Sequence, residues 1–187
     1  MGDPGRDSKD RCHGPLPLVI GVTGHRDLRA QDRPALASRV SAIVATFLER
    51  YPHTPLVLLS SLAEGADRLV AWAALEKGVR LIVPLPMPKA LYEEDFQEAD
   101  SRAEFAELLH RAERWFALPL PDGVDEEAVR EHGEARDRQY VRVGAYIASH
   151  SQILIALWDG TYTNLAGGTS QSEMERHVPG VVGLRAG

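Results

Sequence analysis

Three short segments of this 187-residue chain combine glycine, hydroxyl and charged residues in ways that suit phosphate binding. In the segment GVTGHR, Gly21 and Gly24 flank Thr23, and His25 and Arg26 follow. Glycine lets the backbone approach a ligand closely, and exposed amides in such a turn can hold an anion. The order matches neither a dinucleotide fingerprint nor a Walker loop. This segment therefore predicts either an anion site or a tight turn with a solvated arginine.

The segment AGGTSQSE gives a stronger indication of an anion. Gly167 and Gly168 precede Thr169 and Ser170, where a helix is expected to begin. Free amides, hydroxyl donors and the positive end of the helix dipole meet at such a helix start. A simple N-cap needs only one of the two hydroxyl residues. The paired glycines therefore favour a phosphate ligand over a cap alone.

The segment SSLAEGAD places hydroxyls and acids around one glycine, at Ser60, Ser61, Glu64, Gly65 and Asp67. Acids at a helix start complement the helix dipole, which is a purely structural role. They also accept hydrogen bonds from ribose hydroxyls beside a phosphate loop. Both interpretations stay open, and all five residues are candidates for a ligand site.

Two further segments are expected to contribute residues to the same site. Arg138 and Arg142 lie four residues apart on a predicted helix, and one of them, assigned here to Arg138, is expected to neutralise a phosphate. Asp159 and Gly160 follow an apolar run and are expected at the end of a strand.

The residues suited to catalysis are few. Glu173 and Glu175 follow the last glycine loop, and they would act as acid–base residues only if the protein is an enzyme. They are equally suited to be surface charges of a helix. The seven histidines and the single cysteine have no zinc-ligand spacing, and no serine has a GxSxG context. Neither a metal nor a cofactor is predicted.

The composition is that of a soluble globular protein, with 44% hydrophobic and 26% charged residues. Acidic residues outnumber basic ones by 27 to 21, which gives a formal net charge of −6, so nucleic acid is not expected as a partner. Residues 1–15 predict a disordered N-terminal tail, and residues 16–187 predict a single domain. One cysteine and the absence of both a signal-peptide core and a membrane-length apolar run favour the cytoplasm and no membrane contact.

Apolar strands alternate with amphipathic helices along the chain. This order predicts a three-layer α/β fold with a mostly parallel sheet covered by helices on both faces. Ligands of such sheets bind beyond the carboxyl ends of the strands, so the three polar segments are expected to meet at one edge. The predicted strands are 17–24, 54–62, 79–88, 114–120 and 151–160, and the predicted helices are 32–51, 64–78, 101–112, 136–150 and 169–177.

These segments together resemble the SLOG superfamily of Rossmann-like domains, which includes the LOG phosphoribohydrolases, the DNA-processing protein A family and YpsA-like proteins. SSLAEGADRLVAWAAL is similar to the SGxAxGxDxxAhxxAL element of the last two groups. DRQYVRVGAYIASHSQILIALWDG resembles their arginine-bearing helix and the strand that follows it, and GGTSQSEMERH resembles their closing loop and helix. The chain departs from the phosphoribohydrolase pattern PGGxGTxxE, because Ser172 stands where that glutamate is expected and Glu173 follows. Ser61 also replaces a usual glycine.

The resemblance implies a Rossmann-like pocket for a nucleotide or a nucleotide-derived ligand, and frequent homodimers. The function predicted from the sequence is therefore binding, or sensing, of such a small molecule at the carboxyl edge of the sheet. A nucleoside-monophosphate phosphoribohydrolase is the alternative, and a DNA-handling module has the least support. The expected ligand-binding residues are Thr23, Gly24, His25, Arg26, Ser60, Ser61, Glu64, Gly65, Asp67, Arg138, Asp159, Gly160, Gly167, Gly168, Thr169 and Ser170.

Overall fold

A computed structural model of the protein describes residues 15–158 and 181–185. The described strands form one six-stranded sheet in the order β4-β3-β2-β1-β5-β6. Every neighbouring pair is parallel. The strands are β1 (Leu18–Gly24), β2 (Leu56–Leu59), β3 (Arg80–Leu85), β4 (Arg114–Ala117), β5 (Ile153–Trp158) and β6 (Val181–Arg185).

The helices of the described part of the chain cover both faces of this sheet. On one face, α1, α2 and α4 pack on alternate strand residues such as Ile20, Leu58 and Val83. On the other face, Val143 and Ile147 of α6 pack on Leu59 and Leu154. The predicted three-layer α/β fold is therefore confirmed. The helices are α1 (Arg33–Arg50), α2 (Ala66–Leu75), α3 (Lys89–Glu93), α4 (Ala99–Arg111), α5 (Glu126–Arg130) and α6 (Glu134–Ser149).

The strand order changes direction at β1. The chain builds β2, β3 and β4 successively on one side of β1, and then crosses back to place β5 on the other side. Gly21, in the middle of β1, lies opposite Leu59 of β2 and Leu154 of β5. The crevice beyond the carboxyl ends of β1 and β5 is therefore the topological switch point, where open α/β sheets bind ligands.

Helix α4 begins earlier than its sequence indicates. Ser101 and Glu104 have the spacing of a capping box, yet the N-cap is Glu98 and both residues lie inside the helix. Their polar groups bind Arg68 of α2 instead, since the Arg68 Nη1 donates to the Ser101 carbonyl at 2.8 Å and to the Glu104 carboxylate at 3.1 Å. A tertiary partner has thus replaced the local capping interaction.

Two elements differ from the predicted succession. The acidic stretch before α6 contains the short helix α5, whose N-cap Asp125 accepts a hydrogen bond from the Ala128 amide at 2.9 Å and whose Val129 is buried. Strand β6 pairs with β5, and it was not among the predicted strands. Residues 1–14 of the predicted tail (1–15) and the predicted helix at 169–177 lie outside the described residues. None of the helices within residues 15–158 is both long and apolar enough to cross a bilayer.

Candidate functional site

The loop after β1 is fastened between its neighbours at the switch point. Beyond Gly24, the His25 amide donates to the Leu157 carbonyl of β5 at 3.2 Å. The Ala66 amide, at the start of α2, donates to the His25 carbonyl at 3.1 Å. The loop therefore has a fixed position relative to both β5 and α2, which places Arg26 at the carboxyl edge of the sheet.

Gly24, the last residue of β1, and Gly65, the N-cap of α2, allow this close approach between backbone segments. A Cβ on Gly65 would lie 2.1 Å from the Arg26 carbonyl oxygen, and the φ of Gly65 is +78°. A Cβ on Gly24 would lie 2.4 Å from the Leu157 carbonyl oxygen. Close packing of one backbone segment on another is thus a sufficient reason for glycine at both positions. Contact of either glycine with a ligand stays a prediction.

Asp67, in the first turn of α2, is a buried acid held by the two serines at the end of β2. The hydroxyls of Ser60 and Ser61 each donate to the Asp67 Oδ2 at 3.0 Å. The Ser60 hydroxyl also accepts from the amide of Leu62, a buried residue with a φ of 59°. Burial raises the pKa of Asp67, although the serine hydrogen bonds and the charge of Arg26 favour its carboxylate.

Tyr92 of α3 lies near both Asp67 and Asp95, and its phenol interacts electrostatically with the two acids. Its ring is buried and packs edge-on against Phe96 and Phe105, at centroid distances of 5.2 and 5.8 Å. Burial and then the charge of Asp67 raise the pKa of Tyr92, so its phenol is neutral near pH 7.

Asp95, Arg136 and Tyr140 form a closed ring of hydrogen bonds. The Arg136 Nη2 donates to the Asp95 Oδ1 at 2.6 Å, and the Tyr140 hydroxyl donates to the Asp95 Oδ2 at 2.5 Å. The ring closes where the Arg136 Nε donates to the Tyr140 oxygen at 2.9 Å. Burial and the hydrogen bond to Asp95 raise the pKa of Tyr140 to about 12.

Arg26 links the two polar groups and reaches solvent. Its Nη2 lies 3.9 Å from the Asp95 Oδ2, and its guanidinium carbon lies 5.2 Å from the centre of the Tyr140 ring. Its charge also acts on Asp67. The Arg26 side chain is 45% exposed, against 4% for Asp95. We call this set the Arg26 cluster: Arg26, Ser60, Ser61, Asp67, Tyr92, Asp95, Arg136 and Tyr140.

Other candidates from the sequence have different surroundings. Glu64 accepts a hydrogen bond from the Ser101 hydroxyl of α4, and so lies on the side of the α2 start that faces α4. Arg138 is 70% exposed and forms an ion pair with Glu134 at 2.5 Å. The arginine that α6 contributes to the cluster is Arg136, which was not among the candidates. Thr23 and His25 are half-buried at the carboxyl end of β1.

Eight of the predicted site residues lie outside the described residues, so their roles stay predictions. They are Asp159, Gly160, Gly167, Gly168, Thr169, Ser170, Glu173 and Glu175. Within residues 15–158 and 181–185, no three histidine, cysteine or acidic side chains are grouped in a way that would hold a metal ion.

Comparison with known proteins places the fold beside that of DNA processing protein A. DNA processing protein A from Streptococcus pneumoniae is 14% identical to the present chain in the matched region. The match covers 89% of the present chain and 58% of the Streptococcus pneumoniae chain, with a TM-score of 0.47. The protein from Helicobacter pylori, described for its single-stranded DNA binding mode, shares 14% identity with 81% and 59% coverage and a TM-score of 0.49. The chain thus spans less than three fifths of either structure. No family model and no curated protein matches the chain.

The parallel six-stranded sheet with helices on both faces is itself a Rossmann-like fold. Membership of the SLOG superfamily stays a prediction. One prediction is wrong, namely that the acidic net charge makes a nucleic-acid partner unlikely. The Helicobacter pylori protein has a similar fold and is described as binding single-stranded DNA, so that partner is no longer set aside.

Proposed function

We propose that this domain binds a nucleotide or a nucleotide-derived small molecule at the carboxyl edge of its sheet, with the phosphate on Arg26. The observation that carries the proposal is the position of Arg26. It is a partly exposed cation directly after the central strand, at the switch point of a parallel sheet. A guanidinium recognises phosphate oxygens through paired, charge-assisted hydrogen bonds.

The surroundings of Arg26 support a phosphate more than a neutral ligand. The two acids near it, Asp67 and Asp95, are both buried and hydrogen-bonded within the protein. They steady the guanidinium from behind, while nearly half of its side chain faces solvent. The exposed side of the cluster is therefore positive. The segment Gly167–Ser170 is proposed to complete the phosphate site, as its sequence predicts.

Some predicted roles are not part of this proposal. Serine hydroxyls already donate to Glu64 and Asp67, so neither acid is assigned to a ribose hydroxyl. Arg138 is left out because it is exposed and paired with Glu134. Hydrolysis of an N-glycosidic bond rests on Glu173 or Glu175 and stays the alternative prediction.

A binding screen tests the proposal. The panel contains nucleoside monophosphates and diphosphates, ADP-ribose, the corresponding nucleosides without phosphate, and a short single-stranded oligonucleotide. Ligands that bind the native state raise the unfolding temperature in a saturable way. We expect a saturable shift from phosphorylated members and none from nucleosides. Mass spectrometry of the recovered ligand separates binding from hydrolysis, because only hydrolysis releases free base.

Arg26→Gln is the decisive variant, and Arg111→Gln is its matched control. Arg111 is also partly exposed, lies 5.0 Å from the centre of the Trp72 ring and has one carboxylate partner, Glu107, but it is at the end of α4. Loss of the shift in Arg26→Gln but not in Arg111→Gln supports the proposal. Equal shifts in both variants, or no shift with any phosphorylated ligand, would contradict it. A shift with the oligonucleotide alone would identify a strand rather than a free nucleotide as the source of the phosphate.

A further inference from the structure

The ring of Asp95, Arg136 and Tyr140 is complete without Arg26. Both carboxylate oxygens of Asp95 have a short partner, at 2.6 Å from Arg136 and 2.5 Å from Tyr140. Arg136 also donates to the carbonyls of Leu91 and Val129, at 3.0 and 2.7 Å. These bonds join α3, α5 and α6 and leave Arg136 only 2% exposed. The charge of Asp95 is therefore neutralised by an arginine that is fixed in place.

Arg26 is the most weakly bound cation at Asp95. Its 3.9 Å separation from the Asp95 oxygen is beyond hydrogen-bond distance, and the nearer position on that oxygen belongs to the Tyr140 hydroxyl. Because Arg136 already compensates Asp95, little binding energy opposes a move of Arg26 toward another anion. The Tyr140 ring beneath the guanidinium still limits where it can go.

We propose that Tyr140 and Asp95 are positioning residues for Arg26, which they hold at the mouth of the site where a phosphate would bind. Tyr140 does this in two ways. Its ring supports the guanidinium, and its hydroxyl occupies the Asp95 oxygen that Arg26 would otherwise bind. This inference rests on the proposed function for the identity of the site, and adds to it Asp95, just after α3, and Tyr140 of α6.

The variant Tyr140→Phe tests the inference, because it keeps the ring and removes only the hydroxyl. The freed Asp95 oxygen should draw Arg26 into a closer ion pair and away from the ligand position. With inorganic pyrophosphate as the probe, we expect calorimetric affinity to fall by roughly 3- to 10-fold in Tyr140→Phe. It should fall by at least about 10-fold in Arg26→Gln, because that variant loses charge-assisted hydrogen bonds. Arg111→Gln should bind as the wild type does.

Arginine side-chain NMR gives a readout that a merely structural role would not move. The Nε–Hε resonance of Arg26 is assigned by its absence in Arg26→Gln. In the ligand-free state it should shift in Tyr140→Phe, as expected for a closer pair with Asp95. In the wild type, pyrophosphate should shift the Arg26 resonance and leave the Arg136 resonance in place. This second measurement needs no substitution at Tyr140, so it stays decisive if that variant is unstable.

The outcomes separate this inference from the proposed function. Wild-type affinity in Tyr140→Phe with an unshifted Arg26 resonance overturns the positioning role. An Arg26 resonance that does not respond to pyrophosphate in the wild type also overturns it, even if nucleotides bind. A response of Arg26 to pyrophosphate in a protein that binds no nucleotide or strand supports the inference and contradicts only the proposed function.

Discussion

At the scale of single residues, Asp67 makes the stability of the fold dependent on pH. Burial raises its pKa above the ordinary aspartate value of about 3.9. The folded protein therefore binds this proton more tightly than the unfolded chain does. The stability that Asp67 contributes is fully present below about pH 4 and is lost as the pH rises through its folded-state pKa.

The substitution Asp67→Asn should remove this pH dependence. Its side-chain oxygen can still accept from Ser60 and Ser61, but the group no longer ionises. We expect the free energy of unfolding of the variant, relative to the wild type, to rise from about pH 4 until the pH passes the folded-state pKa of Asp67, and then to level off. Urea unfolding at several pH values measures this difference, with an unchanged m-value as the check on two-state behaviour. A difference that is flat or falls over this range would show that Asp67 is not held in an environment that resists its charge.

The sequence predicted the local part of the Arg26 cluster but not its distant part. Ser60, Ser61 and Asp67 are close in the chain, and a strand followed by a helix is enough to bring them together. Asp95 and Arg136 are 41 residues apart, and no local pattern relates them. One signal was present in α6, where Arg136 shares a face with the buried Val143 and Ile147. That periodicity distinguishes Arg136 from the exposed Arg138.

At the scale of elements, contact between the β1 and β2 loops determines the shape of the site. Gly65→Ala would add a Cβ against the Arg26 carbonyl, at a φ that disfavours any side chain. We expect a loss of more than about 2 kcal/mol in the free energy of unfolding, because backbone strain of 1–3 kcal/mol adds to the clash. Any phosphate affinity should fall as well, since Arg26 belongs to the displaced loop.

Gly78→Ala is the matched control for this prediction. Gly78 has a similar φ of +75°, but a Cβ there would meet nothing within 4 Å. This variant should lose about 1 kcal/mol from left-handed strain alone and keep its ligand affinity. Urea unfolding measures both variants. Similar losses in the two would mean that the β1 loop yields to the added atom, and that the loop contact does not define the site.

The same elements show where sequence patterns are sufficient and where they fail. The strands β1, β2, β3 and β5 are buried apolar runs between turns, so their order alone predicts a parallel sheet. The predicted start of α4 at residue 101 is wrong, because Ser101 and Glu104 have the spacing of a cap but bind Arg68 of another helix. Strand β6 has Gly183 at its centre, and glycine in a strand interior weakens the strand pattern.

At the scale of the whole molecule, the net charge of −6 limits how a phosphate ligand can be held. A general positive field would make affinity depend steeply on salt, because each phosphate contact on a single strand contributes a slope of about −0.7 in log affinity against log salt. In the Arg26 cluster one partly exposed arginine faces solvent, whereas Arg136 is buried among its partners. We therefore expect a slope near −0.7 for a short oligonucleotide and a slope no steeper than this for a nucleotide.

Fluorescence anisotropy of a labelled nucleotide and a labelled oligonucleotide, at salt concentrations from roughly 50 to 200 mM, measures both slopes over the range where phosphate contacts are resolved. Equal shallow slopes would mean that the strand uses the same single contact as the free nucleotide. A much steeper slope for the oligonucleotide would require several additional cationic contacts outside the Arg26 cluster. In that case Arg26→Gln should abolish nucleotide binding but reduce the oligonucleotide slope by only about 0.7, which assigns one phosphate to the cluster and the remainder to another surface.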